Sequence, residues 1–109
     1  MVKYDSLSLV FRALESPARR KILEGIALKH QNVQELAKPL GISLPAVSRH
    51  LKILEEANLI KRHKAQRFYY FELNLEPLDE AQVWIDTHKT FWKQKLTSLR
   101  DYLSSHSIS

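Results

Sequence analysis

The sequence predicts a mostly α-helical domain with a small β-ribbon, in the order α-α-α-α-β-β-α. Three observations predict it. Apolar residues recur with a helical period over most of the 109 residues, and the punctuation is sparse, with two glycines and four prolines. One segment alone, about residues 59–73, switches to the alternation of strands. The length fits a single domain over residues 1–109 and is far short of scaffolds such as a (β/α)₈ barrel of about 250 residues. At 44% hydrophobic the chain is not a disordered tail. Its core is adequate but modest for this size, and oligomerisation would help it.

Each element follows from local chemistry. Leu7, Val10, Phe11 and Leu14 fall at i, i+3, i+4 and i+7, one face of a first helix. Ser16-Pro17 reads as an N-cap with proline at the first helical position, opening a second helix that buries Ile22, Leu23 and Ile26. Asn32 followed by Glu35 has the form of a capping box, and the short helix it opens carries Val33, Leu36 and Ala37. Pro39-Leu40-Gly41 breaks that helix. Ser43 caps the fourth, with Pro45 in its first turn, where a missing N–H costs nothing. Val47, Leu51 and Leu54 line its buried face, and it ends near Asn58, a residue suited to a left-handed terminus.

Tyr69, Phe71 and Leu73 then alternate with Phe68, Tyr70 and Glu72 as a strand. A partner strand near residues 60–63 pairs with it through a turn at Lys64-Ala65-Gln66. Pro77 opens a final helix to about residue 104. Its stripe is Leu78, Ala81, Ile85, His88, Trp92, Leu96, Leu99 and Leu103, widened by Trp84, Phe91 and Tyr102.

Composition narrows the function. Cysteine is absent, which excludes a disulfide scaffold, a zinc ribbon, a thiolate metal sensor and a thiol switch. The net charge is +5 and the pI about 9.6, in the range of nucleic-acid-binding domains. The first residues lack the pattern of a signal peptide, and no run approaches the ~20 apolar residues of a membrane span. A cytoplasmic protein with no membrane partner is expected.

The third and fourth helices with their glycine turn form a helix-turn-helix over about residues 32–57, and the ribbon at about 59–73 adds a wing. The fourth helix leaves Pro45, Ala46, Ser48, Arg49, His50 and Lys52 facing outward or at its boundary. Small residues at its start, Ser43, Pro45 and Ala46, allow close approach to a major groove. Ser48, Arg49 and His50 are then placed to bond base edges or phosphates. Residues 43–70 hold Arg49, Lys52, Lys61, Arg62, Lys64 and Arg67 against Glu55 and Glu56, a local +4. Most of the net charge therefore sits in one patch, and Arg62, Lys64, Gln66 and Arg67 are the wing's candidates for DNA contact. Arg19 and Arg20 stand in the second helix's first turn, where the dipole does not favour cations; a DNA phosphate contact for one and a structural anchor for the other are both open, and neither residue is assigned to DNA.

Three strings carry a family resemblance. Ala13-Leu14-Glu15-Ser16-Pro17-Ala18-Arg19-Arg20-Lys21-Ile22-Leu23 is similar to the opening of ArsR-type transcriptional regulators. Leu44-Pro45-Ala46-Val47-Ser48-Arg49-His50-Leu51-Lys52-Ile53-Leu54 resembles their recognition helix, and Asn58-Leu59-Ile60-Lys61-Arg62 their approach to the wing. The resemblance covers about residues 7–103. It implies a homodimeric winged helix-turn-helix repressor that pairs through its first and last helices, usually released from DNA by a ligand; here the effector is unknown. It thus places Leu7, Val10, Phe11, Trp84, Ile85, His88, Phe91, Trp92, Leu99 and Tyr102 at a dimer interface, with residues 77–104 as the dimerisation helix.

Two departures stand out. Gln34-Glu35-Leu36-Ala37 lacks the thiolates of metal-responsive members. Asp86-Thr87-His88 matches half of a zinc pattern whose other half would fall at Leu99 and Tyr102, so no metal and no cofactor are expected. Gln66 stands at the usual wing-tip glycine, which strains a tip that needs positive φ. His30, His63 and His106 have no spacing that suggests a site.

Catalysis is not expected. There is no cysteine nucleophile and no glycine-rich phosphate loop, and the pairs Glu55-Glu56 and Asp79-Glu80 read as exposed helix positions. The competing class is a winged-helix module for protein or RNA. The small-residue start of the fourth helix argues against it, and the narrow major groove of RNA would exclude such a helix. The expected function is sequence-specific DNA binding by a homodimeric repressor at a pseudo-palindromic operator.

Overall fold

A computed structural model describes residues 4–28 and 32–107. Residues 1–3, on which the signal-peptide reading partly rests, and His30 lie outside the described residues. The elements are α1 (Ser6–Leu14), α2 (Pro17–Leu28), α3 (Val33–Ala37), a 3₁₀ turn (Lys38–Leu40), α4 (Leu44–Glu56), β1 (Ile60–Ala65), β2 (Phe68–Leu73) and α5 (Glu76–Ser105).

The helix ends are built by local hydrogen bonds. Asp5 caps α1, its carboxylate accepting the Ser8 N–H at 2.7 Å, and this bond holds the carboxyl below the usual aspartate range. Ser16 Oγ accepts from the Arg19 N–H at the start of α2. The Asn32–Glu35 capping box is complete in both directions. Gly41 turns the chain between α3 and α4 at φ +64°; a Cβ there would meet no atom within 4 Å, so backbone conformation alone favours glycine. The end of α4 is a Schellman closure: Leu59 N–H reaches Leu54 O, Asn58 N–H reaches Glu55 O, and Asn58 takes φ +58°.

The core lies where α1, α2, α3 and α4 meet the base of the ribbon. Ala13, Ile22, Leu36, Val47, Leu51, Leu54, Leu59, Ile60 and Phe71 are buried there. β1 and β2 pair antiparallel, with Ile60 opposite Leu73 and Ala65 opposite Phe68. Alternation puts Ile60, Arg62, Lys64, Tyr69, Phe71 and Leu73 on one face. β1 runs two residues further than the sequence suggests, so the turn is Gln66-Arg67 rather than Lys64-Ala65-Gln66. Gln66 takes φ +59°, a left-handed conformation that costs a non-glycine residue about 1–2 kcal/mol.

One interface expectation is corrected. Val10 is 1% exposed within the single chain and belongs to its core, so it has no surface to offer a partner. Leu7 is half-buried, while Phe11 is exposed and meets Trp84 edge-on at 6.1 Å.

α5 starts on the core through Pro77, Leu78 and Ala81. It then leaves. Its 30 residues extend about 45 Å and give the chain a long axis of 71 Å and a radius of gyration of 19.9 Å. A compact domain of this length would have a radius near 13 Å.

Candidate nucleic-acid interface

Ser43 sets the origin of α4. Its backbone is extended and its Oγ accepts the Ala46 N–H at 3.2 Å, so the helix begins abruptly with Leu44 and Pro45. Val47, Leu51 and Leu54, each 0% exposed, fix the inward face. The opposite face is then Pro45, Ser48, Arg49 and Lys52, all exposed, with Ala46 half-buried at its margin. Arg49 and Lys52 form no ion pair among the described residues. Leu44 is also exposed; sequence reasoning missed it, because an apolar residue beside an N-cap reads as a packing residue.

The wing residues separate into two groups. Lys64, Gln66 and Arg67 are exposed at or beside the tip, and neither Lys64 nor Arg67 has an ion pair among the described residues. Lys64 lies over the Tyr69 ring at 5.9 Å. Arg62, also a candidate for DNA contact, is engaged within the protein. Its Nε and Nη2 donate to Glu55 Oε1 at 3.0 and 2.6 Å, and its guanidinium lies over Tyr69 and Phe71. Its charge is answered within the protein, bracing the wing against α4. Glu55, read as an exposed helix position, is half-buried in this pair. On the other face His63 Nε2–H donates to Glu72 at 2.7 Å.

His50 points from α4 toward α2, where Arg19 meets it. Arg19 is 6% exposed. Its Nε donates to Ala13 O at 2.8 Å, its Nη2 to Arg12 O at 2.7 Å, and its Nη1 to His50 Nδ1 at 3.2 Å. Burial, with the Arg19 and Arg49 charges nearby, pushes the His50 imidazole below the usual histidine range. Arg20 donates to Leu14 O at 2.6 Å. Both arginines therefore cap carbonyls at the C-terminal end of α1, where the dipole favours cations. The anchor role, one of the two the sequence left open, is filled by both residues.

On α5, Trp84, Ile85, Phe91, Trp92, Leu99 and Tyr102 are exposed. His88 Nδ1–H donates to Trp84 O, and its ring stacks on the Trp84 ring at 4.2 Å. Asp86 is exposed. Among the described residues no three His, Asp or Glu side chains converge as a metal site, and no helix is long and apolar enough to cross a membrane.

A helix-turn-helix with a basic two-stranded wing directly after its second helix defines a winged helix-turn-helix protein, a class built to read duplex DNA. Residues 16–62 match the family described as "Bacterial regulatory protein, arsR family". The chain is similar to the transcriptional repressor SdpR of Bacillus subtilis, 36% identical over 76 residues that cover 70% of this chain and 84% of that protein. It is equally similar to the HTH-type transcriptional regulator Rv2034 of Mycobacterium tuberculosis, 36% identical over 106 residues covering 96% and 95%. The crystal structure of an ArsR family transcriptional regulator superposes with a TM-score of 0.75 at 31% identity, covering 85% of this chain and 97% of the other. A domain from Mycobacterium bovis, described as a homodimeric winged helix-turn-helix DNA-binding domain, shares the fold with a TM-score of 0.62 at 21% identity, covering 96% and 88%.

The chain belongs to the ArsR family of bacterial regulatory proteins. It is a DNA-binding transcriptional regulator, a non-enzymatic class.

Proposed function

We propose that the protein is a homodimeric repressor whose protomers each place residues 43–52 in a major groove of one half-site. Ser48 and Arg49 contact base edges or phosphates, and Lys52 contacts the backbone. Lys64, Gln66 and Arg67 meet the flanking backbone from the wing tip. The observation that carries this reading is the unpaired charge. Arg49, Lys52, Lys64 and Arg67 have no ion pair among the described residues, while Arg62 is neutralised by Glu55. Phosphates are the natural complement of such a surface.

Dimerisation is supported by α5. Its exposed aromatic stripe exceeds what the single chain can cover, and the M. bovis neighbour is described as homodimeric. Two-fold symmetry then calls for a pseudo-palindromic operator with half-sites about 34–36 Å apart, or a multiple of this. Repression follows by occlusion of a promoter, in the cytoplasm.

Fluorescence anisotropy on duplex DNA from upstream of the protein's own gene tests this, with an unrelated duplex as control at two salt concentrations. Saturable binding of two protomers to the upstream duplex, surviving moderate salt, is expected. Equal and salt-fragile binding to both duplexes would contradict sequence recognition at that site.

A further inference from the structure

Arg19 is 6% exposed, yet it bonds to a residue of α4. A guanidinium has only donors. The His50 nitrogen that faces it at 3.2 Å, Nδ1, must therefore present a lone pair. A neutral imidazole carries one N–H, so that proton is on Nε2. Arg19 cannot swing away to release the ring. Its Nε and Nη2 are fixed by the Ala13 and Arg12 carbonyls, which lack partners within α1 because they lie in its last turn. It is also buried, and the carboxylate of Glu15, 3.7 Å away, is largely exposed.

We propose that Arg19 is a positioning residue for DNA recognition: it fixes the His50 ring with Nε2–H as its only donor, aimed at an acceptor on the DNA. This rests on the reading that α4 enters the major groove. The consequence for specificity is definite. An obligate donor serves guanine N7 or O6, adenine N7, thymine O4 or a phosphate oxygen, and cannot accept from cytosine N4 or adenine N6. Arg19 also ties the C-terminal end of α1 to the middle of α4, so the helix that presents His50 is set in rotation as well as in tautomer.

The decisive spectrum is a long-range ¹H–¹⁵N correlation of the imidazole nitrogens in the free protein, read beside anisotropy titrations on the upstream duplex. The wild-type His50 is expected as the neutral Nε2–H tautomer. Arg19→Lys keeps the charge but cannot span two carbonyls and the ring, so it should give mixed tautomers and about tenfold weaker binding, the scale of one hydrogen bond, with the helical circular dichroism unchanged. His50→Leu should lose about as much, whereas His50→Gln, which restores an N–H donor near Nε2, should recover most of the affinity. If Arg19→Lys fails to fold, the wild-type spectrum and the two His50 variants decide alone. An Nδ1–H tautomer, or His50→Leu binding as tightly as wild type while Arg49→Ala binds weakly, overturns the role of Arg19 and leaves α4 in the groove. Full affinity in both His50→Leu and Arg49→Ala would remove α4 from the groove and the proposal with it.

Discussion

Helices α4 and α5 carry apolar stripes of the same period, and the chain treats them oppositely. In α4 the residues Val47, Leu51 and Leu54 are 0% exposed, closed over by α1, α2 and α3. In α5 the stripe is buried only as far as Ala81, and Trp92 and Leu99 remain 54% and 51% exposed. Periodicity states which face of a helix will be covered, and is silent on whether the cover comes from the same chain. For α4 it is the chain's own core, which leaves the polar face open to solvent. For α5 the proposed cover is a second copy of the chain.

Four substitutions and one pH series can break that contrast. The largest effect is expected from Leu51→Ala, which opens a cavity in the core and should lower the unfolding free energy by about 2–5 kcal/mol in denaturant melts. Trp92→Ala should act on assembly instead. Sedimentation is expected to show the dimer weakened by about 2 kcal/mol, the cost of a buried aromatic anchor, with the helical circular dichroism retained. A tight dimer in that variant would remove α5 from the interface. Arg49→Ala should weaken operator binding by about 1–3 kcal/mol without altering sedimentation or melting. Lys64→Ala should weaken all duplexes alike and reduce the salt slope by about one unit. The smallest effect concerns His50, whose protonation is disfavoured in the fold by burial and by Arg19 and Arg49, with Glu15 beyond Arg19. The unfolded chain binds the proton more readily, so stability should be full above pH 6.5 and decline as the pH falls from there through the lowered folded value, in melts across that range.

Much of the fold is legible in the sequence because its signals are local. The Asn32–Glu35 box, the Ser43 cap and the terminus at Asn58 each rest on bonds within a few residues, and each forms as the residue types suggest. The ribbon turn is displaced because Lys64 and Ala65 carry no strand signature; they are held in β1 by pairing with Tyr69 and Phe68. Val10 and Leu7 share a helical face in sequence, and only the packing of α1 decides which one faces inward.

The candidate interface divides along the same line. The outward face of α4 follows from its period, so Pro45, Ser48, Arg49 and Lys52 are found from the sequence. Arg62 is not separable from Lys64 in that way, because its pairing with Glu55 depends on how the wing folds back on α4. Arg19 is the plainest case: its partners are two carbonyls of the preceding helix and a ring 31 residues away, and no spacing rule connects them.

The central claim is that α4 and the wing tip face DNA while the α5 stripe faces a second protomer. Both tryptophans, Trp84 and Trp92, lie on α5, so their indole signals report that helix and, for Trp84, its contact with Phe11 of α1. The most direct test is a ¹H–¹⁵N correlation spectrum of the labelled protein with and without its upstream duplex, repeated across a dilution series. DNA is expected to shift the amides of residues 43–52 and 64–67 and to leave both indoles in place, while dilution moves the indoles and spares those amides. Indoles that respond to DNA, with the α4 amides unmoved, would contradict it.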